Sequence, residues 1–478
     1  MNIRLVAVVL LTILTAGACD GSPDSGGPPA RTPIPTPTSA DALVIGLVGT
    51  MTGPDSWRGE DAFEGADLGV HILNRNLPEK GEGNRFELAT LDDAGDPAKA
   101  LQAIRNLAAS KRTIGIVYAG PPEAVPDSEE VLARAGIPLL LTYGDLYTPR
   151  KLTHHVFQVS PPYLWQARRL AAYLTRDRAY EQVGALVESS FSGDAALAAL
   201  KSALGPRGAR LATVRYSPDP KDLRPVLQRL RSRHVEAVVV QGSPTIYSGV
   251  TTELQELGAR YRSTPTARIA SAPGRVRRTR LRTGHWRPQV LGFDSAIAAR
   301  GRRMASGSVA ADTYARGAHY LPIPSFRSFR RAFADWWDLE PLGWERRSFE
   351  AAQMIGWAAT HLEPRDDIVR SIERLRNVRF GGLPITLGPD DHTAVEQTDV
   401  GLWVVPFASD RVRERSRIER RLEWVPLARG FSIDGQTSDI HTDDWRYLFR
   451  RPPPRGGPAP RLTTMRFGVS TRRSDTRH

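Results

Sequence analysis

Along residues 44–74 the apolar pattern changes period once. Residues 44–48 (Val-Ile-Gly-Leu-Val) are a short apolar run with β-branched side chains, the signature of a strand buried on both faces. Residues 49–56 (Gly-Thr-Met-Thr-Gly-Pro-Asp-Ser) form a loop rich in breakers. From about Arg58, Phe63, Ala66, Val70 and Leu73 recur at helical spacing, with Ala62, Leu68 and Ile72 widening the stripe. Strand, polar loop and helix make up the unit of open parallel α/β sheets, and the loop at the carboxyl end of such a strand is where those sheets bind ligands.

The alternation continues. Strands are expected at 86–91, 114–118, 138–141 and 157–159, with helices at 97–109 and 123–135 between them. The series then restarts with helix 163–176, strand 183–187, helix 193–204, strand 211–216, helix 223–233, strand 237–240 and helix 247–257. Repeated βα units predict parallel, doubly wound sheets. The break near 147–155 divides them into two α/β lobes.

The ends of the chain have another character. Arg4 followed by an apolar stretch at 5–14 and small residues up to Cys19 predicts a secretory signal, too short to span a bilayer. Residues 20–41 are mostly Gly, Ser, Pro and Thr and read as a flexible tether. Cys19 is the sole cysteine of 478 residues, so no disulfide forms within the chain. The net charge of +13 is concentrated late: the tail at 411–478 holds 16 Arg and 8 Asp or Glu. An Arg-rich insertion at 259–288 is either a solvated loop or a patch for anionic lipid headgroups or cell-wall polymers. Nucleic acid is not expected as a partner, because an exported protein does not routinely meet it.

The ordered set Thr52-Gly53-Pro54, Gly59-Glu60 and Gly65-Ala66-Asp67-Leu68-Gly69-Val70 resembles the start of the branched-chain amino acid-type solute-binding proteins, the type I periplasmic binding proteins. Asp92-Asp93-Ala94-Gly95-Asp96-Pro97 with Ala100, Ala135-Gly136-Ile137-Pro138 and Val290-Leu291-Gly292-Phe293-Asp294 are similar to later motifs of that family. The resemblance covers about 43–407. It implies two doubly wound parallel-sheet lobes joined by a hinge of three crossings, with a ligand between them. Lobe one would hold 42–158 and 317–378, and lobe two 159–316 and 379–410. Cys19 after Ala16-Gly17-Ala18 resembles a lipobox, with Ala16 where Leu is usual. That implies a lipid anchor on Cys19 and a protein held at the outer face of the cell membrane.

By the same resemblance, hydroxyls and backbone N–H groups would take a ligand carboxylate, an acidic side chain its ammonium, and aromatics its side chain. Thr142, Tyr143 and Gly144 would face the carboxylate, alongside Ala119-Gly120-Pro121-Pro122, where the family usually has a serine; both loops also read as ordinary turns. Ser192, with Phe191 beside it, either binds an anion at a helix start or caps that helix. Ser243 follows a strand and would line the cleft. Asp294 is the expected ammonium partner, or else a cap or an ion pair with a nearby arginine. Trp57 or Arg58 would approach from the first loop, although Trp57 also reads as a surface residue.

No Gly-x-Ser-x-Gly, His-Glu-x-x-His or P-loop pattern occurs, so neither an enzyme nor a cofactor is expected, and Asp92-Asp93 reads as a solvated turn. The expected function is capture of a small amino-acid-like solute for an ABC permease in the membrane. The alternative is a cell-surface sensor or scaffold of the same fold with no transport role.

Overall fold

The computed structural model describes residues 42–77, 85–144, 154–257, 286–297, 309–313, 324–362, 367–404 and 425–426, apart from positions 207, 219, 287, 340 and 342. The leader, Cys19, the tether, nearly all of the Arg-rich insertion and most of the basic tail lie outside these residues. None of the described helices is long and apolar enough to cross a membrane.

The described strands form two sheets. The first comprises β1 (Leu43–Gly49), β2 (Phe86–Asp92), β3 (Thr113–Ala119), β4 (Leu139–Leu141) and β5 (Val156–Gln158), ordered β2-β1-β3-β4-β5 and parallel throughout. The second contains β6 (Gln182–Glu188), β7 (Arg210–Tyr216), β8 (Ala237–Val240), β9 (Gln289–Gly292), β10 (Val309–Thr313), β11 (Val400–Val404) and β12 (Val425–Pro426), ordered β12-β11-β10-β9-β8-β6-β7. Its strands are parallel from β7 to β10, while β11 and β12 add antiparallel. The order reverses between β1 and β3 in one sheet and between β6 and β8 in the other. These are the switch points outside which such sheets open a ligand crevice.

Helices α1 (Ser56–Arg75), α2 (Pro97–Ala108) and α3 (Ala124–Ala135) follow the first strands, and α4 (Tyr163–Ala172), α5 (Phe191–Leu204), α6 (Arg224–Ser232) and α7 (Pro244–Glu256) the second series. The helix expected over 163–176 changes to a π-turn at Tyr173–Asp177. After β10 the chain returns to the first sheet with α8 (Pro324–Trp337), α9 (Trp344–Thr360) and α10 (Ile368–Glu373), whose Phe329, Phe333, Phe349 and Ile372 share that sheet's core. It then crosses back to β11. With the passage from β5 to α4, this makes three crossings between the layers.

Two motifs acquire physical reasons. A Cβ on Gly65 would stand 1.8 Å from the Glu345 carbonyl oxygen, so the glycine lets α1 and α9 touch backbone to side. The Asp92-Asp93 turn is a tie rather than a solvated loop. Asp92 accepts the N–H groups of Met51 and Ala94, each at 2.8 Å, and the Thr52 hydroxyl at 2.7 Å. Asp93 is fully buried and accepts the Thr50 hydroxyl at 2.8 Å and the Gly95 N–H at 2.7 Å. Together they hold the loop after β1 against the end of β2.

Candidate functional site

Side chains from both layers converge at the switch points. Trp57, in the first turn of α1, meets Tyr143 edge-on at 5.7 Å and Trp344 at 5.6 Å, while Tyr143 and Trp344 lie 4.9 Å apart. The Arg58 guanidinium carbon sits 3.9 Å from the Tyr143 ring centroid, and Arg58 pairs with Asp55 at 2.9 Å. Such a cation–π contact contributes about 1–2 kcal/mol where water is largely excluded. Burial holds the Tyr143 phenol well above its usual pKa despite the opposing pull of Arg58, so it stays a neutral donor.

From the second layer, Glu188 closes β6, and its N–H donates to Gln241 Oε1 at 3.1 Å. Burial raises the Glu188 pKa; Arg58 lowers it, and Asp55 and Glu123 raise it again, so charges of both layers act on one another here. Tyr163 belongs to the same field and packs edge-on against Phe293 at 5.1 Å.

The two layers are also joined directly. Arg347 of α9 pairs with Asp294 at 2.9 Å, both side chains being at least 95% buried. The same guanidinium carbon lies 4.1 Å from the Trp344 ring centroid. Asp294 Oδ1 further accepts the Ser295 N–H at 2.9 Å, and the Asp294 N–H donates to Gln166 Oε1 at 2.8 Å.

Of the residues expected from sequence, Trp57 and Tyr143 are in contact, and Asp294 reaches them through Arg347 and Trp344. Thr142 is buried and spends both its N–H (2.9 Å) and its hydroxyl (3.0 Å) on the Tyr118 carbonyl. Gly144 has φ +80°, and its carbonyl accepts the Ser160 hydroxyl at 2.7 Å. Phe191 is 39% exposed at the start of α5. Ser190, not Ser192, caps that helix, accepting the Gly193 N–H at 3.2 Å. Ser243 caps α7, accepting the Ile246 N–H at 3.4 Å. No described side-chain contact joins Phe191, Ser192 or Ser243 to the aromatic cluster. Trp344, Arg347, Tyr163 and Glu188 were not singled out by sequence reading. A Trp, an Arg and a Glu on helices and strand ends carry no local signal, because the partners of Arg347 and Glu188 come from the other layer and those of Trp344, Trp57 and Tyr143, from far along the chain.

Among the described residues the carboxylates of Asp61, Glu64 and Glu345 lie within 4.8 Å of one another, close enough to share a cation. They sit in the packing of α1 on α9, and Glu345 Oε2 already accepts the Gly343 N–H at 2.8 Å.

Residues 42–279 match the family described as "Periplasmic binding protein". The Leu/Ile/Val-binding protein homolog 3 of Brucella melitensis is 28% identical over 208 residues, 42% of this chain and 54% of the relative; the chain thus spans about half the length of the curated relatives it matches. A type 1 periplasmic binding protein from Bordetella pertussis has the same fold, with TM-score 0.65 and 18% identity over 81% of this chain and all of that one. The branched-chain amino acid transporter substrate-binding protein LivJ of Streptococcus pneumoniae, solved with isoleucine, follows at TM-score 0.61 and 14% identity, over 80% of this chain and 99% of that one. Two parallel-sheet layers wound in the same order agree with these likenesses, and residues 42–279 belong to the periplasmic binding protein family, with relatives of the Leu/Ile/Val-binding type.

Proposed function

We propose that the junction of the two layers is a solute cleft that captures a small amino-acid-like ligand for an ABC importer. The protein would work outside the cytoplasm, anchored by a lipid on Cys19 and standing off the membrane on the tether at 20–41. The observation that carries the reading is the grouping of Trp57, Tyr143 and Trp344 around the Arg58 cation at the switch point of the first sheet, where Arg58 acts on Glu188 at the switch point of the second. An aromatic wall with one fixed charge is the makeup of a small-molecule pocket. The lobe division at 158, 316 and 378 belongs to the same proposal, with the crossings acting as the hinge.

A thermal-shift screen of the twenty protein amino acids tests it. A binder at a hundredfold excess over Kd stabilises the folded state by about 2.7 kcal/mol, and a flat screen sinks the amino-acid reading. For the anchor, Cys19→Ala should move the protein out of the detergent phase; a variant that stays anchored removes the lipid from the account.

A second reading, a surface sensor or scaffold without transport, is favoured by one observation: the expected carboxylate grip is weak. Gly120-Pro121-Pro122 offers no hydroxyl, and Thr142 has already spent its donors. Uptake assays in cells lacking the chain separate the two, since lost uptake of the screened solute excludes a pure sensor.

A further inference from the structure

Asp294 is occupied. Its Oδ2 faces the Arg347 guanidinium at 2.9 Å, its Oδ1 holds the Ser295 N–H, and only 3% of the residue is exposed. A solute ammonium arriving there would have to expel a guanidinium seated on Trp344 and leave it buried without its counter-charge, a poor exchange.

The remaining charges at the junction are differently placed. Arg58 lies in the first turn of the helix that follows β1, at the switch point of the first sheet, with its side chain 13% exposed. Its Nε–H is buried and has no hydrogen-bond partner among the described residues. Glu188 ends β6, at the switch point of the second sheet. Its backbone is held firmly: a Cβ on Gly193 would stand 1.9 Å from the Glu188 carbonyl oxygen, so α5 starts hard against the strand end. Its carboxylate makes no hydrogen bond or ion pair among the described residues. Arg58 thus answers three carboxylates, Asp55, Asp93 and Glu188, and Glu123 adds to the negative charge around Glu188. Burial, Asp55 and Glu123 all raise the Glu188 pKa, and only Arg58 opposes them. The junction is short of one positive charge next to Glu188 and of one acceptor next to Arg58.

Resting on the reading of this junction as the solute cleft, we infer that Glu188 receives the ammonium of an amino-acid solute and Arg58 its carboxylate, while Asp294 serves as a structural tie between the layers. The two unmet groups, the Arg58 Nε–H and the Glu188 carboxylate, select zwitterions. A bare carboxylate satisfies Arg58 but adds to the local negative charge, and a bare amine leaves the Arg58 Nε–H unmet.

The test uses the full chain and calorimetric titration with three sets of probes: the twenty L-amino acids, their des-amino carboxylates and their decarboxylated amines. For the best amino acid, Glu188→Gln and Arg58→Gln should each weaken binding by about 30-fold or more, as expected when one partner of a desolvated charge pair is lost. Both truncated probes should bind the wild type comparably weakly. Free Glu188→Gln should melt no lower than wild type, since it relieves repulsion. Binding should also release protons at mildly acid pH in the wild type and not in Glu188→Gln, because the arriving ammonium lowers a carboxyl pKa that burial holds above its ordinary value. That signature does not follow from a merely structural role. Unchanged affinity in Glu188→Gln, or des-amino carboxylates binding as tightly as their amino acids, overturns the inference and leaves the solute cleft standing. No binding from any of the three sets overturns the cleft itself.

Discussion

Asp93, after β2, and Asp294, after β9, are both strand-end carboxylates with almost no exposed surface, yet they are satisfied in opposite ways. Asp93 takes two neutral donors from its own layer, the Thr50 hydroxyl and the Gly95 N–H, and its Oδ2 has no hydrogen-bond partner among the described residues. Burial therefore holds its pKa above the usual carboxylate value despite those two bonds. Asp294 takes a full cation from the opposite layer. The residue type and its topological place are shared; the partner decides whether the carboxylate fixes a local loop or ties two layers together.

The largest expected effect breaks the second arrangement. Arg347→Met takes the paired guanidinium away from the buried Asp294 carboxylate, which should cost about 3–5 kcal/mol in urea unfolding. Adding Asp294→Asn should recover much of that, since a neutral amide can still accept the Ser295 N–H. A loss below about 1 kcal/mol from Arg347→Met alone would mean that the tie carries no weight.

Asp399 gives an intermediate case. It precedes β11 at the third crossing, and burial, with Glu396 adding to it, raises its carboxyl to about 6 against the Glu396 backbone bond, Arg346 and Arg379. The folded pKa lies above the unfolded one, so the folded state binds the proton more tightly and stability falls as pH rises from about 3.8 to about 6. A shift of roughly two units sets a ceiling near 3 kcal/mol at neutral pH. Asp399→Asn, which keeps an acceptor for the Glu396 N–H, should therefore raise stability at pH 7 by about 1–2 kcal/mol and not at pH 4. An equal effect at both pH values would exclude titration as the cause.

The contrast between Asp93 and Asp294 also marks where sequence reading ends. The elements from β1 to α7 were legible because their periodicity is local: residues 44–48, for example, are apolar in succession and buried in succession. Helix α9 was not. Glu345, Arg346, Arg347 and Glu350 are all buried and resemble a solvated face until their partners are known. Arg346 finds Glu350 one turn away, but Arg347 finds Asp294 across the layers. Trp57 and Tyr143 could be located because they lie shortly after the ends of recognisable strands, β1 and β4. Trp344 and Glu188 meet their partners from far along the chain, Trp57 and Tyr143 for one and Arg58 for the other, and no spacing in the chain records that approach. Asp294 shows both sides of the limit, since its strand-end position was readable and its occupant was not.

A smaller effect should follow from Thr50→Val, which withdraws one of the two donors on Asp93. With a buried acceptor left short, the cost should be about 1–2 kcal/mol, and Thr50→Ser should restore most of it. Full stability in Thr50→Val would show that the Gly95 N–H alone suffices.

The smallest effect is the sharpest probe of the comparison, because it contrasts neighbours in sequence. Asp92 is exposed; burial pushes its pKa up slightly, but hydrogen bonds from Thr52, Ala94 and Met51 outweigh it and hold the carboxyl below its ordinary 3.8. Asp93 lies above that value, raised by burial and by the negative charge of Asp92. The signs are opposite. The stabilisation from Asp92 is complete above 3.8 and is lost as pH falls through its lower folded value, whereas Asp93 gains a proton more readily when folded, so its contribution grows as pH falls toward 3.8. Carboxyl-carbon NMR titration should resolve two adjacent aspartates titrating on opposite sides of the ordinary value, assigned through Asp92→Asn and Asp93→Asn. Arg58 is among the charges holding Asp93 down, so a solute carboxylate on Arg58 should move the Asp93 midpoint further up and leave Asp92 almost still. If the two aspartates titrate together, or in the reverse order, the distinction between a carboxylate held by exposed donors and one held in a buried loop fails where it is easiest to measure.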